Sequence, residues 1–569
     1  MRRNLFLFIF VTLLTFHLSA NPLAKIYRNN DPIFQTIELL SNESKMNSVS
    51  STGPLSGYEL YEHLTKINIS LLPDDSIKLY SSILETLNNP YKGKVWGYQL
   101  DVTQEGFLNT NNQFKYYELA EKYNDRKPFL YGDIESVFGS SGFAIVSYAY
   151  PKAFVAENFS GWDSNNPLFP KTPEQYSVPH TAFISISNPN ISFIFGRDTF
   201  KYGRGMTGNL MIGNHVPYYD FLQLSMHNRK VKYSFLAIPM NELVSAEILY
   251  DIYGGDWEDY LDLLGTAYYP HNQPIGYWHT LFHNSLRRTY IAHRAEIDIF
   301  PWWRLIFTEG TLFYTNTTDL RMFSPLMFLH NNQNFGEVNN SLGFETEFTL
   351  SKRWALDIQI FLDQIQTKGE QSTDDEIPPN SYAFLLNARY NYPLNNWRVK
   401  GYIESVYTSP YVYLRTGDET SNYGNIEEGT FQYNLDFVHA VSMRDGISGV
   451  NWLGYVYGPD SIVLATETTA TYKENLGITA NLRFIVQGES GLKIEGKSQE
   501  VKKQLAKNIN ILSPSGENPT FRLIGGLGLS YKVPKVKLTF YLRNYWLNQW
   551  YSNTYKSGYQ LTFGASYKI

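Results

Sequence analysis

Two periods of hydrophobic and polar positions divide the chain. Between 31 and 89 the apolar positions recur at helical spacing. After Pro54-Leu55-Ser56, residues Leu60, Leu64 and Ile67 fall at i, i+4 and i+7, and Ser56 with Glu59 three places on has the form of a capping box. A second helix fits Asp74 to Leu87: Ile77, Tyr80, Ile83, Leu84 and Leu87 share a face, Pro73 and the Asp pair mark its start, and Asn88-Asn89-Pro90 ends it. Amphipathic helices this short are not stable alone, so they must pack on each other and on something larger.

From about Val95 to the end the period is two. Tyr559, Leu561, Phe563, Ala565, Tyr567 and Ile569 alternate with polar or small residues. So do Val536 to Leu542, Leu342 to Leu350, Leu356 to Leu362 and Ile478 to Val486. A soluble sandwich alternates too, and three further features select a membrane barrel. Many segments run about nine to eleven residues, the length a tilted strand needs to cross a bilayer. Their polar faces carry charge (Glu345, Glu347, Asp357, Arg483), which suits a wet lumen. Aromatic residues gather at segment ends, as in Trp302-Trp303, Tyr545-Trp546 and Trp550-Tyr551, where membrane girdles lie. The expectation is an all-β transmembrane antiparallel β-barrel with a small N-terminal α-helical plug. At about 24 to 30 residues per strand and connection, it has roughly 16 to 20 strands. A barrel so wide has a lumen that water can pass, and the helices of 31–89 are the natural candidate to close its periplasmic mouth.

Composition narrows the classes. The 44 Tyr, 36 Phe and 11 Trp among 569 residues need half-wet sites, which a membrane barrel offers at its rims. Mean hydropathy is −0.32 and no apolar run after the N-terminus nears 18 residues, so a helical membrane bundle is excluded. With 48 basic against 54 acidic residues there is no basic surface for general nucleic-acid binding. The 43% hydrophobic content is too high for a disordered chain. The absence of Cys removes disulfides, thiolate zinc and cysteine nucleophiles. Arg2-Arg3, the apolar stretch Leu5 to Phe16 and the small residues up to Ala20 form a secretory signal, cleaved near Ala20.

Candidate chemistry is sparse. There is no HExxH, GxSxG, Walker or EF-hand pattern, so no catalytic residue, metal site or cofactor is expected. His279 and His283 lack a carboxylate in register and read as a polar loop. The non-alternating stretches 255–274 and 488–519 read as long, extracellular loops. The stretch 196–205 (GRDTFKYGRG) is a strand running into a glycine turn. In one reading the loop folds against the barrel wall, with Arg197 and Arg204 satisfying buried carbonyls or lumenal acids; in the other it is an arginine-lined constriction for an acidic sugar chain. Arg294, Glu296 and Asp298 share one side of a strand, the lumenal one, and Glu309 follows after the Pro301-Trp302-Trp303 turn. That group reads as a charge ladder paired across strands or as ligand contacts. The candidate ligand-binding residues are thus Arg197, Arg204, Arg294, Glu296 and Glu309.

Several ordered segments resemble the Wzi family of outer-membrane capsule-assembly proteins. They are GPLSGYEL at 53–60, GRDTFKYGRG at 196–205 with the following GNLMIGNHVPYYDFLQL, YIAHRAEI at 290–297, FTEGTLFY at 307–314, FSPLMFLHNNQNFGEVNNSLGFE at 323–345 and ALDIQIFLDQI at 355–365. The resemblance covers most of the mature chain. It implies an 18-stranded barrel closed by a periplasmic helical bundle and extracellular loops, acting as a non-catalytic surface lectin that anchors capsular or related exopolysaccharide. The organisation expected is a signal peptide at 1–20, a periplasmic helical plug at 21–93 and an outer-membrane barrel at 94–569. Its partners would be a surface polysaccharide, outer-membrane lipid and the barrel-assembly machinery, with no nucleic acid. A porin or channel gated by its helices is the alternative, and a membrane-embedded hydrolase the third.

Overall fold

The computed structural model describes residues 20–110, 119–121, 125–149, 161–164, 181–216, 218–240, 287–315, 320–326, 337–365, 380–394, 396–410, 412–413, 432–435, 450–489 and 512–569. Most of the signal segment, His279 and His283, the stretch 255–274 and the middle of 488–519 lie outside these residues.

Antiparallel strands, each paired with the next, close on themselves where Trp96–Asn109 meets Thr554–Lys568. Gly161–Ser164 and Leu130–Phe138 pair with the two halves of Trp96–Asn109 and share one place in the wall, so the barrel has 18 strand positions. The alternation predicts the outer face. Phe344, Leu482, Phe540, Phe563 and Tyr567 are exposed, while their neighbours point into the barrel. Rings stack at the strand ends: Phe300, Trp302, Trp303 and Phe348 at one rim, Trp550 with Tyr555 at the other.

The two rims differ. At one, strands are joined by the brief turns 139–141, 188–190, 228–230, 301–302, 350–353, 395–396, 473–475 and 533–537. At the other, connections such as 199–218, 241–286 and 409–460 are long.

The N-terminal segment folds at the short-turn rim. It contains α1 (Ile33–Glu43), α2 (Gly57–Lys66) and α3 (Asp74–Asn88). The capping box at Ser56 and Glu59 is formed as the sequence predicts. α1 was not singled out in the sequence. Its signal is Asp31, whose carboxylate accepts from the Ile33 amide, followed by Ile33, Ile37 and Leu40. The helices share a core of their own, with Ile37, Leu40, Leu60, Leu64, Ile83 and Leu87. Polar contacts hold this unit to the wall. The Asn21 amide donates to the Gly139 carbonyl, Lys66 lies 3.9 Å from Asp298, His227 3.1 Å from Glu62, and Lys352 donates to the Leu71 carbonyl.

The lumen is not uniformly wet, contrary to the expectation from its charged faces. The segment 199–216 turns inward after strand Ile191–Asp198. There Lys201–Tyr202 pairs with Thr52–Gly53 of the N-terminal segment. Phe200, Tyr202, Leu210, Met211 and Ile212 then pack on lumen-facing Leu236, Tyr290, Leu312, Phe361 and Leu385. Along this side the lumenal wall is buried. Along Ser461–Tyr472, Leu476–Gln487, Thr520–Lys532 and Leu538–Tyr551, the lumen-facing Glu467, Thr469, Thr479, Asn481, Ser530 and Arg543 stay partly exposed.

Candidate functional site

The densest polar cluster lies where the inward segment, the strap 46–56 and the wall meet. Three lumen-facing strands supply its charges: Arg294 and Glu296 from Arg287–Phe300, Arg304 from Trp303–Thr315, and Glu345 and Glu347 from Glu337–Thr349. The Arg294 guanidinium donates to both Glu345 oxygens at 2.5 and 3.1 Å, to Thr308 Oγ1 at 3.0 Å and to Ser51 Oγ at 3.1 Å, and it faces the Tyr202 ring at 5.0 Å. Its Nε lies 3.7 Å from Glu296, which accepts from Ser50 Oγ at 2.7 Å and Thr52 Oγ1 at 2.5 Å. Arg304 bridges Asp298 at 2.7 Å and Glu347 at 3.2 Å, and also donates to the Val49 carbonyl. Arg204 completes the chain, donating to Glu347 at 3.2 Å and to the same Val49 carbonyl. Buried charges are tolerated only when paired and hydrogen-bonded, and removing one partner of such a pair costs about 3–5 kcal/mol. The cluster therefore locks three chain segments together.

The inward segment carries its own anchors. Glu404 accepts from the Met206 amide at 2.6 Å and the Thr207 amide at 2.9 Å. Gln359 accepts from the Leu210 amide at 3.1 Å and donates to Asn209 Oδ1 at 2.9 Å. Tyr413 donates to the Leu210 carbonyl, and the Gly213 amide donates to that of Leu453. Gly203 has φ +111°, and a Cβ there would overlap the Gln359 amide, so the close approach requires glycine.

Of the five candidate residues, Arg204, Arg294 and Glu296 come together and two do not. Glu309 is opposite His293 in register, on the outer parity of the wall, whereas Arg294 is opposite Thr308. The alternation of its own strand puts it there: Glu309 is six residues from outward-facing Trp303 and five from inward-facing Arg304. Arg197 is opposite Asp220 and shares the face of exposed Phe195. It pairs with Asp220 at 2.7 Å and lies over Tyr218 instead of pointing inward. Sequence reading did not pick out Arg304, Glu404, Gln359 or the strap residues Ser50 and Thr52. Arg304 and Gln359 do lie on the polar parity of alternating strands, but nothing local names their partners.

Where helix α2 meets the wall, Lys232 donates to Glu59 at 2.6 Å and to the Thr52 carbonyl at 3.1 Å. Burial alone would raise the Glu59 carboxyl, but Lys232 and His227 beside it hold it below the usual carboxylate range. His63, within hydrogen-bond distance of Ser41 Oγ at 2.8 Å, is kept well below the usual imidazole range by burial and by Lys66, Arg304 and Arg204. It is therefore neutral at pH 7. Lys201 on the inward segment is pushed down to about 8 by burial and by Arg204. The cleft between α2 and this wall, lined by Glu62, His63, Lys66 and His227, holds about 50 Å³, room for waters but not a sugar ring. No group of three or more His, Asp or Glu that could hold a metal occurs among the described residues.

No protein-family model matches the chain, and no curated protein matches its sequence. Solved structures do match in shape. Wzi of Escherichia coli, described as an outer membrane protein involved in group 1 capsule assembly and a carbohydrate-binding β-barrel, is similar over 95% of this chain and 98% of its own. The identity is 12% and the TM-score 0.54. OprD of Pseudomonas aeruginosa covers 83% of this chain and 95% of its own at 10% identity, TM-score 0.39. The channel DcaP of Acinetobacter baumannii covers 83% and 97% at 9% identity, TM-score 0.36. With its closed antiparallel barrel of 18 strand positions, the chain has the fold of Wzi, an outer-membrane β-barrel.

Proposed function

We propose that this protein is a non-catalytic outer-membrane barrel that binds surface polysaccharide and holds it to the cell. The observation that carries this reading is the sealed side of the lumen. There 199–216 and the strap 46–56 are locked by buried ion pairs and an aromatic core, as befits an attachment platform more than an open pore. The likeness in fold to a carbohydrate-binding barrel agrees with it. In this reading the signal is cleaved near Ala20, the chain reaches the membrane through the barrel-assembly machinery, the short turns face the periplasm, and 21–93 is the periplasmic plug.

Deleting the gene in its own host tests the reading. Total polysaccharide should stay constant while the cell-bound fraction shifts into the medium; an unchanged partition overturns attachment. The partly exposed lumenal sector from Ser461 to Tyr551 favours a second reading, a channel gated by the helices. Planar bilayers separate the two: the intact protein should be silent, and steady conductance would favour the channel.

A further inference from the structure

The lumenal arginines fall into two sets. Arg204, Arg294, Arg304, Arg389 and Arg543 each pair with a carboxylate of the chain. Arg398, nearer the short-turn rim, makes no ion pair among the described residues, and neither do Arg483 and Arg522. The two are diagonal neighbours: Ile485 is opposite Arg522 and Arg483 opposite Ile524, so both side chains point into the lumen. The Nε–H of each is buried without a hydrogen-bond partner, and so is the side-chain oxygen of Asn481, two residues before Arg483 on the same face. Arg522 donates through Nη2 to Gln487 Oε1 at 3.1 Å and lies 5.8 Å from the Tyr457 ring centre. Tyr402, Tyr457 and Tyr545 lie close enough to Arg483 to act on it electrostatically. The nearest lumenal acid by register is Glu467, opposite Asn481, and it pairs with neither arginine.

Towards the long-loop rim Ile485, Ile524 and Leu547 are buried, and Gln487 donates to the carbonyls of Tyr457 and Pro459, which brings 453–460 across the lumen. Towards the short-turn rim the wall continues through Thr469, Thr471, Thr479 and Ser530, all partly exposed. Among the described residues, no hydrogen bond or ion pair joins the N-terminal segment to the strands between Ser461 and Lys568. Two guanidinium groups without an ion-pair partner, beside Tyr457 on a wall of partly exposed hydroxyl side chains, offer an anion a pair of donors with an aromatic face next to them. Arginine forks bind carboxylate or phosphate oxygens in pairs, and tyrosine faces pack on sugar rings.

We propose that Arg483 and Arg522 bind the acidic group of an anionic sugar unit within the lumen, with Tyr402, Tyr457 and Tyr545 beside its ring. This rests on the polysaccharide reading and adds to it a charge class and a place. The test is calorimetric titration of the full-length protein in detergent with an oligogalacturonate, a neutral maltohexaose and inorganic phosphate. The variants are Arg483→Gln, Arg522→Gln and Arg483→Lys, with retention of the folded barrel checked by its heat-dependent electrophoretic shift. The oligogalacturonate should bind, weaken with salt, and lose about tenfold or more in affinity in either Gln variant, with partial recovery in Arg483→Lys. Binding of both oligosaccharides unchanged by either Gln variant sinks this site and leaves polysaccharide binding standing. Binding of phosphate alone sinks the sugar assignment. No binding by any probe sinks the site, and the partition of polysaccharide in the deletion strain then judges the broader reading separately.

Discussion

The wall from Tyr219–His227 to Trp397–Thr408 and the wall from Ser461–Tyr472 to Thr554–Lys568 show the same outer face and opposite inner ones. Outside, both expose Phe, Leu and Ile at alternate positions, except where Met322 and Phe323 cover Phe235, Ile291 and Phe313 of the first. Inside, the first is covered by the inward segment and buries Arg294, Glu296, Glu347 and Asn387, while the second leaves Glu467, Thr469 and Arg543 in contact with solvent. A period of two thus reports only that one face meets lipid. Whether the other meets water or packed protein depends on a segment from elsewhere in the chain. A charged inward position reads alike in both settings, yet in one it is a structural lock and in the other a candidate ligand contact.

Substitutions at matched positions test this contrast. The largest effect is expected at Arg304→Ala, which leaves Glu296 and Glu347 buried with one cationic partner fewer and Asp298 with Lys66 alone. A loss of about 3–5 kcal/mol should appear as a lowered thermal midpoint in detergent. A loss no larger than that of a surface change would mean the two walls do not differ in kind. Next comes Gly203→Ala, which forces a side chain into a left-handed backbone and against Gln359, at about 1–3 kcal/mol. Protease accessibility of 199–216 should rise with it, and an unchanged digestion pattern would contradict the close packing.

A pH effect should follow. His63 is neutral when buried, but in the unfolded chain it takes a proton near pH 6.5. Stability is therefore intact above that pH and falls as acid protonates the unfolded form, which the folded site disfavours. The helical signal should melt earlier at pH 5 than at pH 7.5, with His63→Gln reducing the difference; an equal slope in the variant would remove His63 from the account. The smallest effect belongs to the open wall. Glu467→Gln, with no ion pair to break among the described residues, should change the thermal midpoint by no more than about 0.5 kcal/mol equivalent.

Much of the fold was legible, because lipid and helix capping each impose a local pattern. The alternation of Leu342 to Leu350 and of Tyr559 to Ile569 falls on the faces it predicts, and Ser56 with Glu59 caps α2. The site was legible only in part. Arg294 and Glu296 are two apart on one strand, so their shared face follows from parity. The same count sets Glu309 on the other face, an odd step from inward-facing Arg304 and one residue past inward-facing Thr308. The bond from Arg204 to Glu347 spans 143 positions and those from Glu404 to Met206 and Thr207 nearly 200, and no local pattern encodes partners so distant.

The ladder between Thr52–Gly53 and Lys201–Tyr202 has a consequence for the order of assembly. Ser50, Thr52 and Asn47 find their partners on strands roughly 240 to 300 residues further along the chain. Contacts of such sequence separation form late. The N-terminal helices emerge first but dock last, since their seat exists only after the wall through Thr349 is built. Seating of the amino end is thus a readout of a finished barrel, and an arrested one would present that end unclasped to whatever surveys the short-turn side.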